Sequence, residues 1–321
     1  MKRIMYLLFL IVFISAVILI DTPSFGKTKS EAGLVKEFFK TQRSRGSCIP
    51  DASLKEAQYC YKLDKKNHVV GLYLYDLVGD INLNKFTNLK TLSIDNDRIP
   101  ENYAGSDYGD NASNIHGGRM TSLNISKCKK LTNISLTGVA LKKVDTTKNS
   151  KLKSLIIKKG SINSMKIGGK TTLTEADLQD TYVGNGLSLK GYEKLKTVRA
   201  MNGYVPSIDV SGAKKLKFLF CDNTSLKTLK IKNCTTLDQI ECQMNRLQSL
   251  DASTCTKLQI LYCYDNKLSS LKVAGAKKLR VLLAQNNSFS KLNIKNTSLK
   301  NTTIGDPMHE LSIDSGVTVT K

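Results

Sequence analysis

The chain has 321 residues, with 49 Lys and Arg against 27 Asp and Glu, giving a formal net charge of +22. A composition of 40% hydrophobic and 24% charged residues excludes a disordered tail and a multi-span membrane protein, and 5 Pro, 21 Gly and no Trp exclude a collagenous or Pro-rich rod. Only three histidines occur (His68, His116 and His309), far apart in sequence, so neither a histidine zinc site nor a histidine-dependent triad is expected.

Lys2 and Arg3 precede an apolar run from Ile4 to Ile20, and the breaker Asp21-Thr-Pro23-Ser24-Phe25-Gly26 follows with small residues suited to a signal peptidase. Residues 1–26 therefore read as an export signal, either cleaved or kept as a short membrane anchor. Both readings put the body outside the cell, secreted or in the envelope. With no lipid-accepting Cys at the cleavage point and no sorting motif in Ser315 to Lys321, release or non-covalent retention is predicted.

Residues 27–68 are expected to form an N-terminal cap. Leu34, Val35, Phe38 and Phe39 give Glu31–Thr41 an apolar helical face, and Pro50-Asp51-Ala52-Ser53 opens a second short helix at Leu54. Cys48 and Cys60 lie in this segment and are possible disulfide partners.

From 69 to 315 the chain repeats itself. Segments of the form apolar-x-x-apolar-x-apolar begin at Val205, Leu226, Leu247, Leu268 and Phe289, always 21 residues apart, and the series reads upstream through Gly184, Ile162, Leu141, Met120 and Val78. A second apolar series starts eleven residues into each unit, as in Leu237-x-x-Ile240-x-Cys242-x-x-Asn245-x-Leu247. Period-two alternation puts these apolar residues on one side of a short strand, which buries nothing alone; stacked units merge them into one core. The predicted fold is a β-rich, right-handed leucine-rich-repeat solenoid (α/β by class) of about ten turns with a small helical cap. An insertion near 98–119 carries Asp107 and Asp110, without the spacing of a calcium loop, so no metal site is assigned. Met308-His-Glu-Leu311-Ser-Ile313 is expected to repeat the Phe289 spacing and close the distal end, leaving 316–321 as a tail.

Two ladders are expected inside. Cys221, Cys242 and Cys263 alternate with Ala200 and Ala284 in one column, and Cys128, Cys234 and Cys255 with Ala213 and Ala276 in another, which reads as buried thiols in sites for small apolar side chains. Asn245, Asn266 and Asn287 are expected to satisfy backbone groups at a turn.

An LxxLxCxxNxL unit of 21 residues followed by a half such as Val205-Pro-Ser-Ile208-Asp209-Val210-Ser211 resembles the internalin-type repeats of Gram-positive bacteria, in particular internalins with a cysteine ladder. The resemblance implies a surface or secreted interaction protein or adhesin. It does not carry over wall anchoring or invasion, because the immunoglobulin-like segment and sorting motif of many such proteins are not seen.

Two outward surfaces are candidate sites. The second series is predicted to line a concave sheet on which Phe218, Phe220, Glu241, Gln243, Ile260, Tyr262, Tyr264, Val281 and Leu283 form an apolar patch with polar neighbours, suited to an unknown protein partner. A column of Lys130, Lys151, Lys194, Lys215, Lys257 and Lys278 forms a basic stripe suited to an anionic envelope polymer, glycan or lipid surface; nucleic acid is not expected. No catalytic residues and no cofactor are assigned, and the outward acids Glu175 and Asp177 read as solvated face residues.

Overall fold

A computed structural model describes residues 30–53, 55–97, 120–301 and 310–321. The export signal, nearly all of the insertion, Met308 and His309 lie outside the described residues. Helix α1 (Glu31–Ser44) starts where the sequence places it, and the Ser30 hydroxyl caps it by accepting from the Gly33 N–H at 3.3 Å. The helix buries Val35, Phe39 and Gln42. Its polar ends tie it to the repeats. The Gln42 amide oxygen accepts from Val78 N–H at 2.9 Å, and the Glu31 carboxylate accepts from Val69 N–H and from Asn88. The second predicted helix is a short 3-10 turn, Lys55–Cys60. The chain then enters an antiparallel strand, Tyr61–Leu63, that covers the first edge of the sheet.

That sheet has twelve strands. After Tyr61–Leu63 come Val69–Tyr75, Thr91–Asp95, Asn133–Thr137, Ser154–Lys158, Glu175–Asp177, Thr197–Arg199, Phe218–Phe220, Gln239–Glu241, Ile260–Tyr262, Val281–Leu283 and Glu310–Ser312, all mutually parallel. The register steps by whole coils, with Leu219, Ile240, Leu261 and Leu282 as successive partners, all fully buried. The other side of each coil carries shorter strands in small sheets, among them Ser207–Asp209 beside Thr228–Lys230 and Ser249–Asp251 beside Ser270–Lys272. Apolar residues of both sides fill one continuous core.

Three local placements differ from the sequence reading. In the units read from Val78 and Gly184 the buried anchors are Leu77 and Val183, one residue earlier, and Val183 pairs with Ile162. Each of these two units holds an extra residue in a glycine-bearing turn. Gly186, at φ 75°, lies so close to Ser207 that a β-carbon would sit 2.2 Å from its hydroxyl. At the distal end Leu311 pairs with Leu282 of the long sheet rather than falling in the Phe289 column. Thr318–Thr320 then pairs with Lys291–Asn293, so the expected tail is the second strand of the last coil.

Polar ladders close the coils. Asn245 accepts from the N–H groups of Thr224 and Leu226 and donates to the carbonyls of Cys221, Cys242 and Gln243. Asn266 and Asn287 repeat the pattern one and two coils on. On the opposite side Asp209 and Asp251 accept from the N–H two residues later, as do Asn82, Asn124, Asp145 and Asn293. The acid of each Asp-x-Ser step is thus a turn cap. Immediately before Asn245 and its counterparts runs a column of left-handed backbone: Asn202, Asn223, Met244, Asp265 and Asn286 have φ of 52 to 57°. Asn and Asp tolerate that conformation; Met244 does not share their local hydrogen bonding.

Two stability outcomes follow. Asn245→Ala strands buried amide groups of two coils and should cost about 3 kcal/mol in urea unfolding. Met244→Asn should raise stability by about 1 kcal/mol, because it relieves the left-handed strain of a long side chain.

Candidate binding surface on the long sheet

The solvent face of the long sheet changes character along its length. Toward the N-terminal end its outward residues are mixed: Tyr73 and Tyr75 on the first coil, then the small polar Thr91 and Ser93, Asn133 and Ser135, and next Ser154 with Ile156. From residue 218 they become Phe218 and Phe220, Gln239 and Glu241, Ile260 and Tyr262, then Val281 and Leu283. The register sets Phe220, Glu241, Tyr262 and Leu283 in one row and Phe218, Gln239, Ile260 and Val281 in the next. Cys221, Cys242 and Cys263, fully buried, alternate with the outward side chains, so Tyr262 and Tyr264 both face out. Strand twist and pleat therefore bring together all nine residues of the predicted patch.

Their exposure is lower than expected. Each apolar member is half-buried and Gln243 is buried, because neighbouring rows pack side by side. The Phe218 and Phe220 rings lie nearly parallel, 8° apart with centroids at 6.2 Å. The patch is consequently a pair of aromatic ridges flanking a polar strand rather than an open apolar plane. In that strand the Gln239 amide donates to Glu241 at 2.6 Å, and Gln243 reaches the same carboxylate from the other side. Beside it, Arg199 places its guanidinium carbon 5.9 Å from the Phe220 centroid while pairing with Glu175 at 2.5 Å. Glu175 is therefore an ion-pair partner. Asp177 likewise pairs with Lys158, at 3.4 Å.

Burial pushes the Asp222 carboxyl above its ordinary range, and burial with the nearby Asp222 charge does the same to Glu241. Sequence reading places Glu241 in the patch but not the want of a cation at Glu241 and Asp222, nor Met244. Met244 stands 53% exposed at the rim on strained backbone, among the few large apolar side chains the described residues leave open. The column of Asn and Asp at 21-residue spacing would have marked Met244 as the exception.

All six stripe lysines are exposed, and each precedes a buried leucine of the core. Thr172 and Thr236 interrupt the row, their hydroxyls donating to carbonyls of the preceding coil. Lys130 donates to Asn88 at 2.6 Å.

The thiol columns are in place, with different reasons. Cys221, Cys242 and Cys263 fill an apolar interior, and burial raises all three, Cys242 to about 12. In the other column the residue is chosen as a donor as much as for size. The thiols of Cys128 and Cys234 point at the carbonyls of Leu83 and Val210, at 3.2 and 3.0 Å. Asn149 and Tyr192 in the same turn donate to Ile125 and Ile167. The expectation of a purely small apolar site is thereby corrected. Cys48 and Cys60 are both thiols, so the possible disulfide is not formed; the Cys60 sulfur faces the Glu56 carbonyl instead.

With this geometry in view, comparison with known proteins is informative about the fold. The family model described as At1g61320/AtMIF1, LRR domain, matches residues 187–310. Residues 187–310 thus match a leucine-rich-repeat model, and the same coil geometry continues as one solenoid through the other repeats described. Among solved structures it is similar to a plant ice-binding protein, with 15% identity, coverage of 91% of this chain and 97% of that one, and a TM-score of 0.53. It is also similar to the functional domain of InlJ from Listeria monocytogenes, which includes a cysteine ladder, with 19% identity over 79% of this chain and a TM-score of 0.48. The chain spans about half of that domain, 53%. An internalin, InlF from Listeria monocytogenes, matches at 12% identity over 92% of this chain and 98% of that one, with a TM-score of 0.33. No curated protein sequence matches significantly. At these identities the likeness concerns the fold. Among the described residues no helix is long and apolar enough to cross a membrane.

Two measurements test this leucine-rich-repeat chain. A thiol reagent at pH 8 should titrate one cysteine quickly, Cys48, and all eight in denaturant, since the other seven are buried. Asp222→Asn should raise the urea midpoint at pH 7. A carboxyl raised in the folded state binds its proton more tightly there than in the unfolded chain, so wild-type stability from this group is gained as pH falls toward the raised value, and the variant should flatten that dependence.

Proposed function

We propose that this chain is a protein-binding leucine-rich-repeat module, exported to the cell surface or the medium, whose partner docks on the long sheet between residues 218 and 285. One observation carries this reading. Between residues 218 and 283 the sheet face presents Phe, Ile, Tyr, Val and Leu in register on successive coils, whereas the coils of Thr91–Asp95 and Asn133–Thr137 offer only small polar groups in the same rows and Tyr73 and Ile156 stand singly. Amphipathic aromatic side chains that are already half-immobilised lose little freedom on binding, which is how a modest patch concentrates affinity. Met244 stands exposed at the end of the polar strand between the ridges. Residues with long exposed apolar side chains on strained backbone are where a fold spends stability on a contact. The export signal at Lys2 to Gly26 supports the location. No nucleophile and base have been found together on this face, so binding rather than catalysis is proposed.

The lysine row supports a second, compatible reading, retention on an anionic envelope polymer. Its six cations lie on six of eight successive coils, seven steps or about 35 Å from end to end at the strand spacing, and all face solvent.

Tyr262→Ala/Tyr264→Ala should lower partner affinity at least about tenfold, measured by pull-down and titration against a culture-derived partner, with urea unfolding unchanged within about 1 kcal/mol. Full affinity in the folded variant would exclude the patch. Retention through the lysine row predicts release of the protein from cell envelopes by about 1 M NaCl, where screening acts within about 3 Å. Unchanged retention would dismiss that role.

A further inference from the structure

Acids on the solvent face of the long sheet fall into two groups. Glu175 and Asp177, in the middle coils, are each matched by a cation, Arg199 and Lys158. Asp222 and Glu241, inside the aromatic ridges, are matched by none among the described residues, in a chain with 22 more cationic than anionic side chains. Gln243 stands beside them on the adjacent coil position, is 9% exposed, and keeps its amide oxygen without a hydrogen-bond partner while its side chain reaches Glu241. A buried acceptor left unsatisfied costs stability, as do two half-buried carboxylates without counter-charge. The amide groups of Gln239 and Gln243 are the donors that reach Glu241, and among the described residues no cation faces either carboxylate.

The walls narrow the choice of donor. A hard metal ion needs more oxygen ligands than two carboxylates and one amide, and no cluster of three metal-ligating side chains occurs among the described residues. Aromatic faces favour an organic cation, and Phe220 already carries the Arg199 guanidinium against its ring. Building on the patch reading above, we propose that the ridge-and-valley site formed by Phe220, Asp222, Glu241, Gln243, Tyr262 and Tyr264 receives an arginine or lysine side chain of the protein partner. The cation pairs with Asp222 and Glu241, one of its N–H groups satisfies the Gln243 oxygen, and apolar residues flanking it in the partner rest on the two ridges. Charge complementarity within an otherwise strongly basic molecule makes the site selective, since an acidic partner would be held by the lysines elsewhere and not here.

The test is selection of a random dodecapeptide library on the immobilised full chain near pH 7.5 and about 0.15 M NaCl, followed by synthesis of the best peptide. Selected sequences should carry Arg or Lys between apolar residues. Binding should fall at least about tenfold for Asp222→Asn/Glu241→Gln and equally when the peptide's basic residue becomes norleucine, and the two losses should not add, because they remove one contact. The acid variant is expected to fold at least as stably as wild type. Tyr262→Ala/Tyr264→Ala serves as the control for the patch itself. Peptides that the tyrosine variant loses but that lack a basic residue, or that ignore the acid variant, would overturn the cation site and leave the patch standing. Peptides indifferent to both variants, or no selected peptide at all, would overturn the patch and the cation site together. Equal displacement of the peptide by spermine and by a partner-length basic peptide would mark a free-amine site and overturn the assignment to a protein side chain.

Discussion

A strand of three residues in this fold is stable only because the coil before and the coil after supply its hydrogen bonds, and that dependence governs everything else in the molecule. Main-chain pairing at a step of 21 residues makes columns of equivalent positions, and each column must then solve the same small chemical problem again and again. One column must return carbonyls and N–H groups that the turn leaves over, hence Asn245, Asn266 and Asn287. Another must turn the chain left-handed, hence Asn202, Asn223, Asp265 and Asn286. A third can offer a donor to the preceding coil, which Cys128, Asn149, Tyr192 and Cys234 do with three different functional groups. The repeat conserves tasks more strictly than letters.

That distinction explains what could be read from the sequence. The coils, the ladder of buried thiols, the cap helix and the in-register patch were legible because hydrophobic spacing of this length has one economical packing. Misplacements came where the chain departs from its own period by a residue. Leu77 and Val183 stand one residue before the positions that spacing alone predicts, because an inserted glycine turn restores the later spacing and hides the shift. The last coil misled for a similar reason, since eight additional residues lie between the pairing positions of Val281 and Glu310, and periodicity alone does not tell which of two apolar series resumes.

The site was legible in position and illegible in chemistry. Alternation along Phe218-Leu-Phe220-Cys221 decides which side chains face out, and that is local. How much surface they leave open depends on packing between rows, and whether Glu241 has a counter-ion depends on which side chains reach it across coils. Both are tertiary facts. The raised carboxyls of Asp222 and Glu241, the unpartnered Gln243 oxygen and the strain at Met244 fall within two neighbouring coils, and such a local sum of costs is the kind that function rather than folding explains.

The step from Thr91 to its partner Asn133 is 42 residues, twice the usual interval, yet the sheet continues across it without a break in pairing. A solenoid of this kind has a quantised length. An excursion from the stack is tolerated when the chain re-enters at the same point of a coil, whereas a gain or loss of one residue within a strand turns the outward side chains of that strand to the interior. Changes that preserve the aromatic ridges must therefore come as whole coils or as loops at the corners. The spacing between cap and binding surface can accordingly be lengthened or shortened in steps of about 5 Å without altering either.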